Sequence, residues 1–304
     1  MRRQSNFSDA MDRTAQQPDA LKGWIDLRLD ALTTSDATRD GQVAQAMRHA
    51  LTSPGKRFRP VVTLLTVQQF GGDVGKAIDP ACAVEMIHAA SLILDDLPSM
   101  DDAARRRGLP TTHRLFGEDM AILASIALLT RAFAVVTATT GLANDTKLGI
   151  TARLADSAGL AGLVGGQEID LRCGSELNDR RALRELNRRK TGALIGAAVD
   201  IGLLVASVDG PRADKMRDAA DHIGEVFQTV DDILDATADQ ASIGKDVRQD
   251  GDKPTLLTVD GVMETRNGAR FHMEQAVSLI DGCSPVAPAL APYLRTVFEP
   301  HLNG

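Results

Sequence analysis

The chain has 304 residues, 41 acidic side chains against 34 basic ones (net charge −7), and only 3% aromatics. That balance argues against non-specific nucleic-acid binding, and scarce aromatics beside abundant Ala, Leu and Gly favour close-packed helices over a β-sandwich. Cys82, Cys173 and Cys283 are odd in number and widely spaced, which points to reduced thiols in a cytoplasmic protein, with no disulfide frame and no zinc site.

Residues 1–20 are polar and aperiodic and read as a disordered segment. Their two arginines have no apolar run behind them, so they do not form a signal peptide. From Leu21 onward helical periods dominate. "LKGWIDLRLDAL" puts Leu21, Trp24, Ile25 and Leu29 or Leu32 on one face. "VAQAMRHAL" ends at "TSPG", and "PVVTLLTVQQF" opens with Pro60 in a helix first turn. "PACAVEMIHAASLILDD" has Pro80 near its start, and further helical segments follow to the C-terminus. The longest apolar stretch, "ALIGAAVDIGLLVASV", is broken by Asp200 and is short for a membrane span, so no stable membrane insertion is expected. Alternating runs of strand length are absent. One all-α domain of about ten helices over residues 21–304, a helical bundle, fits these patterns.

Two acidic clusters interrupt this apolar pattern. In "LILDDLPSMDD" four carboxylates fall within eight positions, directly after a core-like helix. Asp95 and Asp96 have no Lys or Arg one turn away along the chain, and packed carboxylates without a partner raise each other's pKa. In "VFQTVDDILDATAD", Asp231 and Asp235 share a face one turn apart, with Asp232 beside them. A solvated acidic face does not explain why apolar residues run straight into both clusters. A bound divalent cation does. Carboxylate oxygens without a neighbouring His suit Mg²⁺, which keeps water and substrate phosphate oxygens among its ligands. Asp95 and Asp101 would lie nearly opposite on a straight helix. Pro98 disfavours helix through Leu97, so the chain can bend and bring Asp101 back.

Cations gather in "SPGKRFRP", "AARRRGLP", "NRRKTG" and "IGKDVRQDGDKPT". Any one of these could be a solvated surface. Together with two Mg²⁺-type clusters they describe a site for more than one polyanion. No Walker A or Rossmann glycine pattern marks a nucleotide site.

On these residues the chain resembles the trans-isoprenyl diphosphate synthases. "DDLPSMDD" and "DDILD" look like that family's two aspartate-rich motifs. "PGKRFRP", "RRGLPT", "GGQEIDL", "KTG", "FQTVDD" and "GKD" fall in the family's order. The bacterial carotenoid-pathway geranylgeranyl diphosphate synthases are the most similar group. The resemblance implies a helical bundle around a central cavity, usually in a homodimer, that condenses isopentenyl diphosphate with allylic diphosphates up to farnesyl diphosphate. It implies Mg²⁺ as cofactor, held by Asp95, Asp96, Asp101, Asp231 and Asp235. By the same resemblance Arg106, Lys190 and Lys245 hold the allylic diphosphate. Lys56, Arg59, His88 and Arg107 hold isopentenyl diphosphate, and Gln167, Thr191 and Gln228 line the cation site with oxygens. Ala90 and Ser91, five and four residues before Asp95, are small where farnesyl-producing relatives often carry an aromatic. They imply a twenty-carbon product, with Met86 and Ile87 as a floor and Ala90→Tyr as a shortening change. The chain departs from many relatives at Leu94, where they carry His, and at Ser125-Ile126, where they carry Gly-Asp. Competing readings are a farnesyl diphosphate synthase, a terpene cyclase, which would not need the second diphosphate's cations, and a silent regulatory subunit, whose aspartate motifs would have decayed.

Overall fold

The computed structural model describes residues 17–34, 41–173, 179–237 and 254–302. Among these are fourteen α-helices, one π-helical turn and a two-residue hairpin. The expected ten helices are exceeded mainly by short elements such as Thr112–Phe116 and Leu256–Asp260.

Helix α1 (Pro18–Thr34) buries Leu21, Ile25, Leu29 and Leu32, the face its spacing predicts. α2 (Gln42–Thr52) follows. α3 (Phe58–Gln69) starts after Arg57, whose backbone is left-handed at φ 50°. Pro60 sits in its first turn, where a missing N–H costs nothing. α4 (Val74–Asp95) begins six residues before Pro80, with Asp73 Oδ1 accepting the Gly75 N–H at 3.0 Å. An interior proline costs on the order of 3 kcal/mol. Burial of Ala77, Ile78 and the length of α4 beyond them offsets it.

The hairpin pairs β1 (Arg105–Arg106) with β2 (Leu109–Pro110). Then come α5 (Thr112–Phe116), α6 (Glu118–Ala138), α7 (Asn144–Ala158) and α8 (Leu163–Cys173). α9 (Arg180–Asn187) runs through the π-turn Arg188–Gly192 into α10 (Ala193–Val205). α11 (Gly210–Thr237), α12 (Leu256–Asp260), α13 (Val262–Asp281) and α14 (Leu290–Leu302) complete the order.

α4 packs most extensively on α6, α11 on α13, and α10 on α3. α3, α4 and α10 therefore form the centre of one bundle, and one hydrophobic cluster runs through it. Two helices, α4 and α6, are long and apolar enough to cross a membrane by composition. α4 is a core helix. α6 keeps one apolar face open, with Ile122, Leu123, Ile126 and Leu129 between 36% and 54% exposed. The exposed stripe was not anticipated, because the sequence reading singled out Ala193–Val205, which is buried.

Candidate active site

α4 ends where its sequence turns acidic. Asp95 is its last residue and Asp96 its cap. Pro98 then forces a tight return: the Leu97 carbonyl accepts from Met100 N–H at 2.9 Å and Asp102 N–H at 3.0 Å. The Asp101 N–H donates to the Asp95 carbonyl at 2.9 Å. The predicted bend is present, and Asp101 lies close enough to raise the Asp95 pKa. Burial is the larger cause, and together they push Asp95 up to about 6 against the opposing pull of Lys190.

The acidic cluster has partners that sequence spacing missed. Asp96 is 3% exposed, and its Oδ1 accepts from Arg106 Nε and Nη2, each at 2.7 Å. Asp96 Oδ1 is thus shared with Arg106, which ties the first acidic cluster to the hairpin. Asp95 and Asp101 are the carboxylates this turn presents. Lys190 Nζ lies 2.5 Å from Asp170 Oδ2 on α8, and Asp95 also acts on its charge. Gly166 lets α8 lie close against the backbone of the π-turn, because a Cβ there would fall 2.6 Å from the Lys190 backbone nitrogen. The π-turn places Lys190 and Thr191 together at this point.

On α11, Asp231, Asp232 and Asp235 are all partly buried. Thr191 Oγ1 donates to Gln228 Oε1 at 2.6 Å, and Gln228 Nε2 donates to Asp232 Oδ1 at 2.8 Å. This relay fixes the amide and leaves Asp231 and Asp235 on their shared face. Gln167 contributes a buried Oε1 without a hydrogen-bond partner, while its Nε2 meets Met100 Sδ at 3.7 Å. Lys245, Arg248 and Lys253 lie outside the described residues.

The second cation set gathers around His88, two helical turns before Asp95 on α4. Arg59 is 8% exposed and its Nε has no partner. Its guanidinium lies 5.2 Å over the Phe227 ring, and Nη1 is 3.4 Å from His88 Nε2. Burial lowers the Arg59 pKa to about 10, which leaves it charged at neutral pH. Burial and the surrounding arginines drive His88 well below the usual imidazole range, so it is neutral. With Nε2 accepting from Arg59, its proton resides on Nδ1. Lys56 is exposed. Arg107 has a left-handed backbone at φ 54°. Its Nη1 lies so near Gly55 that a Cβ there would be 2.8 Å away. A pocket lined by His49, Ala89, Leu92, Asp96, Arg106 and Arg107 lies between α2, α4 and the hairpin.

Sequence reasoning left the C-terminal helix without a role. In the fold, α14 brings Tyr293 and Phe298 onto Phe58, with ring centroids 5.9 and 5.5 Å apart. Phe227 completes the cluster at 5.1 Å from Phe58, so the rings form the support under Arg59. Asp170 was also missed as a partner of Lys190, although "GGQEIDL" marked the segment.

The donor set fits a hard divalent cation. Asp95, Asp101 and Asp231 supply oxygens only, and the raised Asp95 pKa is what a bound cation would relieve. Among the described residues no three His, Cys, Asp or Glu side chains are grouped closely enough to hold a metal ion by themselves. Further ligands must come from water and substrate, as hard, phosphate-bound ions require.

Carboxylates at two helix ends, buried cations in two groups and a helical bundle define a trans-prenyltransferase. A profile described as polyprenyl synthetase matches residues 40–278, and the chain belongs to that family. It is 37% identical over 291 residues to a geranylgeranyl diphosphate synthase of Pantoea ananas, covering 95% of each chain. It is 39% identical over 242 residues to a farnesyl diphosphate synthase of Geobacillus stearothermophilus, covering 77% of this chain and 80% of that one. Its fold superposes with a TM-score of 0.78 and 27% identity on a geranyltransferase from Helicobacter pylori complexed with magnesium and isoprenyl diphosphate. That match covers 86% of this chain and 88% of the other.

Proposed function

We propose that this enzyme extends allylic diphosphates with isopentenyl diphosphate to the twenty-carbon geranylgeranyl diphosphate, with Mg²⁺. The observation that carries this reading is Ser91. It lies one helical turn before Asp95 on the same face of α4, partly exposed and small. The small side chain at that turn leaves room for a chain anchored by its diphosphate at Asp95 and Asp101. The Pantoea relative's name agrees with this length, while the Geobacillus relative's name gives fifteen carbons as the rival.

Asp95, Asp101, Asp231 and Asp235 would hold Mg²⁺, which supplies charge neutralisation at the departing diphosphate. Lys190 and Arg106 bind and orient the allylic diphosphate, with Lys245 assigned there by motif. As the allylic C–O bond breaks, Gln167, Thr191 and Gln228 present oxygens to the allylic cation. Lys56, Arg59, His88 and Arg107 hold isopentenyl diphosphate so that its double bond faces the cation. A new C–C bond forms, and the proton lost leaves with the released diphosphate. The test is incubation with labelled isopentenyl diphosphate, each allylic starter and Mg²⁺, followed by product sizing. A twenty-carbon end product is expected, and arrest at fifteen carbons overturns the length assignment.

Two cation sets imply two separable diphosphate sites. Arg59→Ala is expected to raise KM for isopentenyl diphosphate by more than about tenfold, with a smaller change in the allylic KM. Lys190→Ala is expected to act on the allylic KM or kcat instead. Equal effects of both variants on both substrates would contradict two sites.

The open stripe of α6 is the basis for assigning a homodimer, because a self-complementary apolar face suits a two-fold contact. Light scattering is expected to give a dimer for the native chain and a monomer for Ile126→Asp. A native monomer at micromolar concentration rejects the assignment.

A further inference from the structure

Glu85 is a buried carboxylate that the reaction does not call for. It lies on α4, three residues before His88, and is 2% exposed. Its Oε1 accepts from Arg57 Nη1 at 2.7 Å, and both side chains of this pair are 3% exposed. Arg57 makes three other bonds: Nε donates to Asp26 Oδ1 at 2.7 Å, and Nη2 donates to the Leu51 and Ser53 carbonyls at 2.7 and 2.9 Å. Arg57 thereby ties α1, the loop after α2 and α4 to the segment that carries Lys56 and Arg59.

Burying a carboxylate is costly unless its field is used. Glu85 is the strongest attractive charge on Arg57, on Arg59 and on Arg107. Arg57 and Arg106 repel Arg107, and Arg107 repels Arg59. Contact with Glu85 is taken by Arg57, and Arg59 Nε remains without a partner. The carboxylate therefore steadies neighbouring guanidiniums by its charge, with its own short contact spent on the structural arginine.

We propose that Glu85 is a positioning residue for isopentenyl diphosphate: held by Arg57, it supplies the buried counter-charge that keeps Arg59 and Arg107 converged on one phosphate site. This rests on the assignment of that cation set to isopentenyl diphosphate. Without the counter-charge the guanidiniums separate, and the loss falls on binding of one substrate. A purely structural carboxylate would, when removed, weaken both substrates and turnover together.

The experiment compares Glu85→Gln, Glu85→Asp, Asp26→Asn and Arg59→Ala in full-length enzyme with Mg²⁺, with KM for each substrate, kcat and thermal melts. Glu85→Gln is expected to raise the isopentenyl diphosphate KM at least about tenfold, as loss of one buried charge partner does, with kcat and the allylic KM within about twofold. Glu85→Asp keeps the charge and is expected to fall between native and Gln. Asp26→Asn removes the other, exposed partner of Arg57 and is expected to leave the isopentenyl KM within about twofold of native. If Glu85→Gln does not fold, Glu85→Asp decides in its place by a selective rise in the same KM. The proposal is overturned by an unchanged isopentenyl KM in a folded Glu85 variant, by equal changes for both substrates, or by an equal rise in Asp26→Asn. Arg59→Ala separates the two claims. If it leaves the isopentenyl KM unaltered, the site assignment itself fails. If it raises that KM while Glu85 variants do not, only the role of Glu85 fails.

Discussion

Asp95→Ala and Asp231→Ala are each expected to lower turnover by at least ~10²-fold, the scale seen when a major electrostatic stabiliser is removed. The folded state should survive. For Asp95 the reason is specific: burial and Asp101 push its pKa up to about 6, so the fold holds the charge against its preference. Removing the carboxyl relieves that strain, and the melting temperature without Mg²⁺ should stay level or rise. Asp96→Ala should behave differently. It strands Arg106 without its partner at 2.7 Å, so a stability loss of about 1–3 kcal/mol accompanies any loss of rate. Thermal melts beside single-turnover rates check both statements. Full activity in excess chelator, or near-native rates in folded Asp95→Ala, would remove the basis for the metal assignment.

Ser91→Tyr is expected to convert the end product from twenty carbons to fifteen with turnover largely kept. Four residues before Asp95 is roughly 40° from it around the helix, so the new ring enters the path of the growing chain. Ala90, read from the sequence as the site for this change, is roughly 140° from Asp95. It is 4% exposed on the side packed by α6, and its carbonyl accepts from Ser125 Oγ at 2.9 Å. A tyrosine there has to push α6 away, at a cost of about 1–3 kcal/mol. Ala90→Tyr is therefore expected to reduce stability, with no clean shortening of the product. Liquid chromatography with mass detection of the prenyl alcohols distinguishes the outcomes. Twenty carbons from Ser91→Tyr would place the floor of the cavity on another helix.

What the sequence disclosed was local. The acidic ends of α4 and α11 could be read because charge follows an apolar run directly, and the return of Asp101 because Pro98 constrains its predecessor. Long-range pairing stayed hidden. Asp96 and Arg106 are ten residues apart across the Pro98 turn, and Lys190 and Asp170 are twenty apart on different helices. Tyr293 and Phe298 reach Phe58 from the far end of the chain. No periodicity encodes such contacts. The open apolar stripe of α6 stayed hidden as well, since a period of 3.6 residues reveals a face but not whether a neighbour covers it.

α4 carries Glu85, His88, Ser91 and Asp95 on one uninterrupted rod. Each residue added to a helix advances it by about 1.5 Å and turns everything beyond it by about 100°. A single insertion or deletion between His88 and Asp95 would swing the acidic end away from its counterpart on α11 and leave the arginine end in place. Substitutions along the same stretch leave that alignment intact. Over evolutionary time this helix is free to vary in side chain at turns such as that of Ser91 and is barred from varying in length, so descendants of this chain can acquire new products by single-base changes while their reading of two substrates at once stays in phase.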